Sequence, residues 1–289
     1  TGDTKLLRLA AIYCANASGK SNVFNALRFM SEYVRHSFGF GGESIADMTI
    51  RMPSMRYTPF AFADGEEQPS SFEVYFVLPH DAKERTYHYG FVIKNYIIQE
   101  EWLTAKARTA TPDKAKTIFY RKAGEKIDFG AVPSEYQKNI SVSIAEEALI
   151  LSLGAKLKVP VLSDVWDWFL TMKFMDFNND NEKTIYSDLA AHLLETEGNL
   201  SLGIKKYLES FDDSIVEITK KDKQSDGGNL YKGLSNFNAF HRIPGSDKLK
   251  SIPLEEESQG TLKMLSMYPA IALALIDGGV LVIDELNTK

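Results

Sequence analysis

The sequence of 289 residues has a single cysteine, Cys14, which excludes a scaffold held together by intramolecular disulfides. Such cysteine usage is typical of a reducing compartment, and we expect a cytoplasmic location. The sequence also lacks a long apolar run, because Asp277, Gly278 and Gly279 interrupt its most apolar stretch, residues 270–283. A membrane-spanning helix needs roughly 18 or more apolar residues, so we expect no membrane association.

An excess of positive charge is lacking too, since 33 Lys and Arg stand against 39 Asp and Glu, a net charge of −6. This argues against a protein that coats nucleic acid by charge alone. Nucleic acid stays open as a partner through one local basic cluster, which comprises Lys106, Arg108, Lys114, Lys116, Arg121, Lys122 and Lys126. The five histidines show no metal-ligand spacing, so no zinc site is expected. At 44% hydrophobic residues the chain can bury a full core, which excludes overall disorder.

Apolar periodicity predicts a mixed α/β chain. Residues 6–13 predict a buried strand, Ser21 opens an amphipathic helix, and residues 43–70 read as irregular. Strands are predicted at 71–78 and 87–98 with a hairpin at 118–129, then helices at 144–153, 161–175, 185–197 and 201–211. Strands return at 237–243 and 249–254, followed by a long helix at 259–276 and a strand at 280–283. The polar connectors 178–182 and 220–229 predict mobile loops.

The strongest chemical signal is at residues 14–21, which fit the phosphate-loop pattern G-x-x-x-x-G-K-[ST] except at its first glycine, where Cys14 stands. The motif lies between a predicted strand and a predicted helix, as it should. Backbone N–H groups and the positive end of that helix would hold a phosphate chain. Lys20 would reach the β- and γ-phosphates, and Ser21 would place its hydroxyl on Mg²⁺.

Two further motifs occur near the end of the sequence. Residues 280–285 are four apolar residues followed by Asp284 and Glu285, the form of a Walker B strand, in which Asp284 can hold Mg²⁺ and Glu285 can polarise the attacking water. Ser258 can cap the long helix, and Gly260 permits a close backbone approach. The placement of this segment before the Walker B strand makes it similar to the signature motif of ABC-type ATPases.

Together, residues 13–22, 256–261 and 282–286 resemble the ATP-binding proteins of the bacterial abortive-infection and OLD-like group, relatives of SMC and DNA-repair ATPase heads that are often classed with the AAA family. The likeness spans the chain and includes residues 59–60, 87–91 and 100–103 as well as His241. No Q-loop glutamine is assigned, because neither Gln68 nor Gln99 fits.

The resemblance implies an α/β P-loop NTPase of ABC type with a β-rich lobe and an inserted helical subdomain, and two heads that dimerise around ATP. We expect one discontinuous head, cut at both ends: residues 1–70 with the phosphate loop, a β lobe at 71–135, a helical insertion at 136–235, and residues 236–289 with the signature helix and Walker B strand. By position, the site residues are Asn16, Ala17, Ser18, Gly19, Lys20, Ser21 and Asn22 in the phosphate loop, Ser21 and Asp284 for Mg²⁺, Glu285 and Lys20 in catalysis, and Ser258 and Gly260 in the contact with the opposite subunit's nucleotide.

The function implied is Mg²⁺-dependent ATP hydrolysis by a homodimer or higher homo-oligomer in anti-phage defence, controlling an effector nuclease or toxin. Two alternatives stay open. The first is a nucleotide-gated scaffold with little turnover, which the departure at Cys14 motivates. The second is a DNA-repair or chromosome-associated ATPase, against which the acidic charge balance counts.

Overall fold

The computed structural model describes residues 8–13, 15, 18–42, 45–59, 68–82, 84–107, 114–196, 198–221 and 233–286. The chain divides into two compact units, Thr1–Leu170 and Thr171–Lys289. Within the described ranges, no helix has both the length and the hydropathy that crossing a bilayer requires. The expected division into four segments stays a prediction.

The first unit is built on a four-stranded sheet. Its elements are α1 (Lys20–His36), α2 (Ile45–Arg51), β1 (Ser70–Val77), β2 (Thr86–Lys94), β3 (Ile97–Lys106), β4 (Lys116–Lys122), α3 (Ser134–Ser143), α4 (Ile150–Lys156) and α5 (Pro160–Thr171), with 3₁₀ turns at Ser37–Gly42 and Pro53–Met55. The strands lie in the order β1-β2-β3-β4, each antiparallel to its neighbour. Because side chains alternate along a strand, β2 buries Tyr87, Tyr89, Phe91 and Ile93 on one face.

Aromatic rings join α1 to this sheet. Phe29 and Tyr33 are four residues apart on α1, with ring centroids 5.4 Å apart, and the Tyr33 ring stacks on Phe91 at 5.6 Å. Phe91 in turn stacks on Phe72 of β1 at 5.3 Å. The Tyr33 hydroxyl, buried with its ring, donates a hydrogen bond to the Glu147 carbonyl at 2.8 Å. The helix predicted from Ser21 is therefore confirmed, and its apolar spacing forms the buried face.

A buried carboxylate fixes the start of α4. Glu101, on β3, accepts hydrogen bonds from the backbone N–H groups of Ile150 at 2.6 Å and Leu151 at 3.0 Å, and from the Tyr89 hydroxyl at 3.1 Å. It therefore caps α4 from a distant strand, since the N-cap residue of that helix makes no side-chain hydrogen bond. Burial raises the pKa of Glu101 to about 7, although the Arg121 charge and these hydrogen bonds act in the opposite direction.

In its described residues, the second unit combines two small sheets with three α-helices. Its elements are β5 (Lys173–Asp176), α6 (Asp180–Glu195), α7 (Asn199–Glu209), β6 (Ile215–Lys220), β7 (Phe237–Arg242), β8 (Leu249–Pro253), α8 (Gln259–Asp277) and β9 (Leu281–Asp284). The antiparallel sheet has the order β6-β7-β8, and β5 pairs with β9 in parallel. One core joins α6, α7 and α8 to the antiparallel sheet through fully buried Ile204, Leu234 and Leu265.

Several sequence-based predictions are wrong. The described part of the strand predicted at 6–13, residues 8–13, is not a strand, and Leu9 and Tyr13 are 86% and 88% exposed. An extended segment becomes a strand only when a neighbouring strand completes its hydrogen bonds, and no strand among the described residues pairs with residues 8–13. The helix predicted at 161–175 ends at Thr171, and residues 173–176 form β5 instead, because β9 supplies a ladder partner. The helix predicted at 144–153 starts only at Ile150, and residues 45–51 are helical rather than irregular.

The connector at residues 178–182 is also not a loop along its whole length, because α6 begins at Asp180. The Asn179 side chain accepts hydrogen bonds from the N–H groups of Asn181 at 3.1 Å and Glu182 at 3.4 Å. The Glu182 carboxylate accepts from the Asp176 N–H at 2.8 Å and from the Asn179 amide at 3.2 Å. These reciprocal caps satisfy the helix start, which explains its order. Most of the second predicted loop, at 220–229, lies outside the described residues.

Candidate functional site

The predicted phosphate loop leads directly into α1. Gly19 is the N-cap residue of this helix and has φ +92°, a left-handed conformation that glycine adopts readily and other residues avoid. The Ser18 N–H donates to the Ala15 carbonyl at 3.3 Å, which closes a turn before the helix. Cys14, Asn16 and Ala17 lie outside the described residues.

The start of α1 favours an anion. No side chain caps the helix, and its first turn contains no acidic residue. The helix N-terminus therefore presents backbone N–H groups and a positive dipole end without a competing carboxylate. The Lys20 ammonium donates to the Ala15 carbonyl at 3.1 Å, so the lysine folds back over the loop. Ser21 and Asn22 follow in the first turn of the helix and are exposed.

The predicted signature segment opens α8 in the second unit. Ser258 is the N-cap residue, as expected, and its hydroxyl oxygen accepts the Thr261 N–H at 3.1 Å. Ser258, Gln259 and Gly260 are exposed. A Cβ added to Gly260 would lie 3.6 Å from the Ser258 hydroxyl oxygen, which is an ordinary contact. Packing among the residues that the structure describes therefore does not require glycine at position 260.

The two predicted Walker B acids stand at the carboxyl end of β9. Asp284 lies opposite Asp176 in the parallel ladder with β5, and its carboxylate accepts the Glu285 N–H at 3.0 Å. Glu285 has φ +55°, a left-handed conformation that is uncommon for glutamate. Such conformations are found more often at functional sites, where the surrounding structure holds them. The backbone thus leaves the strand conformation at Glu285, directly after β9 ends.

Lys263 is a residue near these acids that the sequence analysis missed. It lies on the second turn of α8, and its ammonium donates to the Glu285 carbonyl at 2.8 Å and lies 4.2 Å from the centroid of the Phe177 ring. Burial lowers the pKa of Lys263 from its usual value; the Glu285 charge opposes this and Lys183 reinforces it. A lone lysine in an amphipathic helix carries no sequence signal for this contact.

The basic cluster is only partly a surface feature. Arg121 is buried, and its guanidinium donates to the carbonyls of Ala148 at 2.7 Å and Ala145 at 3.1 Å. Arg121 therefore supplies hydrogen bonds to backbone carbonyls of the segment that leads into α4, and it is not part of a charged surface. Lys122 is exposed and pairs with Glu125 at 2.9 Å. Arg108 lies outside the described residues.

The predicted site residues are shared between the two units. Lys20 and its loop belong to the first unit, and Ser258, Asp284 and Glu285 to the second. In the part of the chain that the structure describes, no group of three or more His, Cys, Asp or Glu side chains could hold a metal ion by itself.

Comparison with known families gives one result. The sequence model of a family described as "AAA domain, putative AbiEii toxin, Type IV TA system" matches residues 9–288, nearly the whole chain. The matched region includes the phosphate loop, the signature segment and the Walker B acids. Comparison with curated proteins and with solved structures finds no match.

Proposed function

The chain belongs to this family of AAA domains, and from that membership and its phosphate loop we propose that it binds ATP with Mg²⁺ and hydrolyses it. AAA domains are P-loop NTPases, and the family generally uses ATP and Mg²⁺. The observation that carries the proposal is the geometry at Gly19 and Lys20. A left-handed glycine turns the chain into a helix whose uncapped start and adjacent lysine suit a phosphate chain.

In this proposal the residues of the loop bind phosphate oxygens. Lys20 gives up its hydrogen bond to the Ala15 carbonyl and binds the β- and γ-phosphates instead. A hydrogen bond from the ammonium to a charged phosphate oxygen is stronger than one to a neutral carbonyl. The loop residues Asn16 to Asn22 supply backbone N–H groups. Specificity for adenine rests on the family alone.

Ser21 and Asp284 fit Mg²⁺ because their hydroxyl and carboxylate oxygens are the hard ligands that this ion prefers. The bound ion would neutralise charge on the phosphates. Glu285 would act as the general base that orients and deprotonates the attacking water. Support for this role comes from the left-handed backbone of Glu285 directly after Asp284 at the end of β9, a conformation uncommon for glutamate.

We further propose that two heads of ABC type associate around ATP, with Ser258 and Gly260 contacting the nucleotide held by the opposite subunit. Both residues are exposed at the start of α8, and no contact among the described residues explains a glycine at position 260. We propose that each head is discontinuous, with a β lobe at residues 71–135 and a helical insertion at residues 136–235.

The family description names an abortive-infection toxin and a type IV toxin–antitoxin system. We propose that the chain is the ATPase component of such a bacterial anti-phage system and controls an effector nuclease or toxin. This step rests on the family and on no residue of the site.

Turnover measurements test the enzymatic part. We expect Mg²⁺-dependent phosphate release by the unmodified protein, a loss of ATP binding in Lys20→Ala, and retained binding with a roughly hundredfold or greater loss of turnover in Glu285→Gln. The matched control is Glu209→Gln, an exposed acid at the end of α7 in the same unit and outside every motif. Equal background turnover in the unmodified protein and in Glu285→Gln would refute hydrolysis, and ATP binding in both would then favour the scaffold.

Sedimentation with and without ATP tests the dimer, which Ser258→Arg should abolish without affecting ATP binding by the monomer. Stimulation of turnover by DNA would favour the repair alternative. In that case charge reversal at Lys114, Lys116 and Lys122 should remove the stimulation. Arg121 is left out of this set because its side chain is buried.

A further inference from the structure

Both backbone polar groups of Glu285 are hydrogen-bonded to side chains. The Asp284 carboxylate accepts the Glu285 N–H at 3.0 Å, and the Lys263 ammonium donates to the Glu285 carbonyl at 2.8 Å. The ladder between β5 and β9 ends one residue earlier, at Asp284. At Glu285, side chains therefore supply the backbone hydrogen bonds that a neighbouring strand supplies along β9.

These two bonds hold an unfavourable backbone conformation. Glu285 has φ +55°, a left-handed conformation in which the Cβ of an L-residue lies too close to the following carbonyl oxygen. Such a conformation persists only where the surrounding structure holds it. A fixed N–H limits rotation about φ, and a fixed carbonyl limits rotation about ψ, the only two soft dihedral angles of the residue. The direction in which the Glu285 side chain leaves the backbone is thereby determined.

The Lys263 ammonium is itself held in place by a buried cluster. It lies 4.2 Å from the centroid of the Phe177 ring, within the range of a cation–π interaction, and Phe177 is 5% exposed. Phe177 belongs to a core cluster with Met175 of β5 and Met267 of α8, and Ile283 of β9 packs against this cluster. The cluster thus joins the helix that contains Lys263 to the strand that ends just before Glu285.

We propose that Lys263 is a positioning residue, which holds the backbone of Glu285 so that its carboxylate can act on the attacking water. This proposal rests on the proposed ATPase function, in which Glu285 is the general base. Lys263 acts in this role through the Glu285 backbone rather than on the nucleotide. A general base must lie within hydrogen-bond reach of the proton that it takes, so a small displacement of the carboxylate slows the chemical step.

Methionine at position 263 tests this role, because it keeps an unbranched apolar side chain beside Phe177 and removes the donor. We expect Lys263→Met to lower kcat by about tenfold with little change in KM, since the lost hydrogen bond comes from a charged group outside the proposed phosphate-binding residues. Lys263→Arg keeps a charged donor that can lie over the ring, and it should restore most of kcat.

The control for these variants is Lys206→Met, which replaces an exposed lysine on α7 of the same unit and should leave kcat and KM unchanged. An unchanged kcat in Lys263→Met would overturn the positioning role. The role would also be overturned if Lys263→Arg were as slow as Lys263→Met, because the loss would then come from altered packing and not from the missing donor.

A double variant tests whether Lys263 acts through the Glu285 carboxylate. If it does, Lys263→Met should change kcat little once Glu285→Gln has removed the general base, because the group that Lys263 positions is then absent. Two independent effects would instead multiply, and the double variant would be about tenfold slower than Glu285→Gln alone. That result would overturn the role.

The contact itself can be measured without ATP. In protein labelled with ¹³C and ¹⁵N, the Glu285 carbonyl carbon is observed through the amide of Leu286, with which it shares a peptide bond. Loss of the hydrogen bond should move this carbonyl signal to a lower chemical shift in Lys263→Met, whereas Lys206→Met should leave it in place. An unmoved signal in Lys263→Met would overturn the proposal.

Lys263→Gln gives a second route if Lys263→Met does not fold, as judged by circular dichroism. Glutamine offers a shorter, neutral donor, so it should lower kcat and move the carbonyl signal in the same directions. Unmodified protein without any turnover would refute the proposed function, and the carbonyl signal would still decide whether Lys263 holds Glu285. The two failures are therefore distinguishable.

Discussion

Replacing Glu101 by glutamine should remove a pH-dependent part of the stability of the first unit. The carboxylate is fully buried and accepts three hydrogen bonds, two of them from the start of α4. Burial raises its pKa from the usual 4.5 to about 7. Between these values the folded protein holds a proton that the unfolded chain has released, so the fold is stabilised at low pH. This contribution is complete below about pH 4.5 and is lost as the pH rises through about 7.

The size of the effect follows from the shift of the Glu101 pKa. Each unit corresponds to about 1.4 kcal/mol, so the full contribution is about 3 kcal/mol, and between about pH 5 and pH 8 it changes by about 2 to 3 kcal/mol. Glutamine has the same shape and does not titrate in this range. The free energy of unfolding of the unmodified protein minus that of Glu101→Gln should therefore decrease by this amount from the lower to the higher pH.

Tryptophan fluorescence during urea unfolding provides the assay, because all three tryptophans, Trp102, Trp166 and Trp168, belong to the first unit. Glu100→Gln is the control, because the carboxylate of Glu100 lies next to Glu101 in sequence but is only partly buried. A difference between Glu101→Gln and the unmodified protein that is the same at both pH values would refute the reasoning. It would mean that Glu101 stays ionised and that its hydrogen bonds outweigh its burial.

Three substitutions test other parts of the structure. Gly19→Ala forces alanine to φ +92° and should weaken ATP binding by about 1 to 2 kcal/mol, which isothermal titration calorimetry measures; an unchanged Kd would contradict the left-handed turn. Ser258→Ala removes the hydrogen bond that caps the Thr261 N–H and should destabilise the start of α8 by about 1 kcal/mol. The loss should appear as faster hydrogen exchange of the Thr261 amide. Gly90→Ala would place a Cβ 2.6 Å from the Phe72 carbonyl oxygen and should destabilise the first unit by about 1 to 3 kcal/mol; urea unfolding with an unchanged midpoint would rule out this close approach.

Features that depend on neighbouring residues in the chain were predictable. The apolar spacing after Ser21 predicted α1, and Ser258 before a long apolar pattern predicted the start of α8. The strand at 280–283 was predicted from its short apolar run and forms β9 one residue later. In each case the apolar spacing or the capping residue lies within a few residues of the element, so the sequence alone predicts that element.

Contacts between distant segments were not predictable. Residues 173–176 have apolar spacing that suits a helix, and only pairing with β9 makes them a strand. Arg121 read as one charge in a basic cluster, yet it is buried against carbonyls of the segment before α4. The bond from Lys263 to the Glu285 carbonyl depends on how α8 lies beside β9. The assignment of the nucleotide-site residues, from Lys20 to Glu285, stays a prediction.

The sequence by itself determined the family, the phosphate loop and the order of most helices and strands, because motifs and periodicities are local properties of the chain. Tertiary structure alone decided which polar groups share a proton or a hydrogen bond. Glu101 and Ile150, and likewise His241 and Glu257, are far apart in sequence, and each pair meets only when a strand packs beside the start of a helix or turn. Burial then raises the pKa of Glu101 to about 7, which the sequence around Glu101 does not reveal.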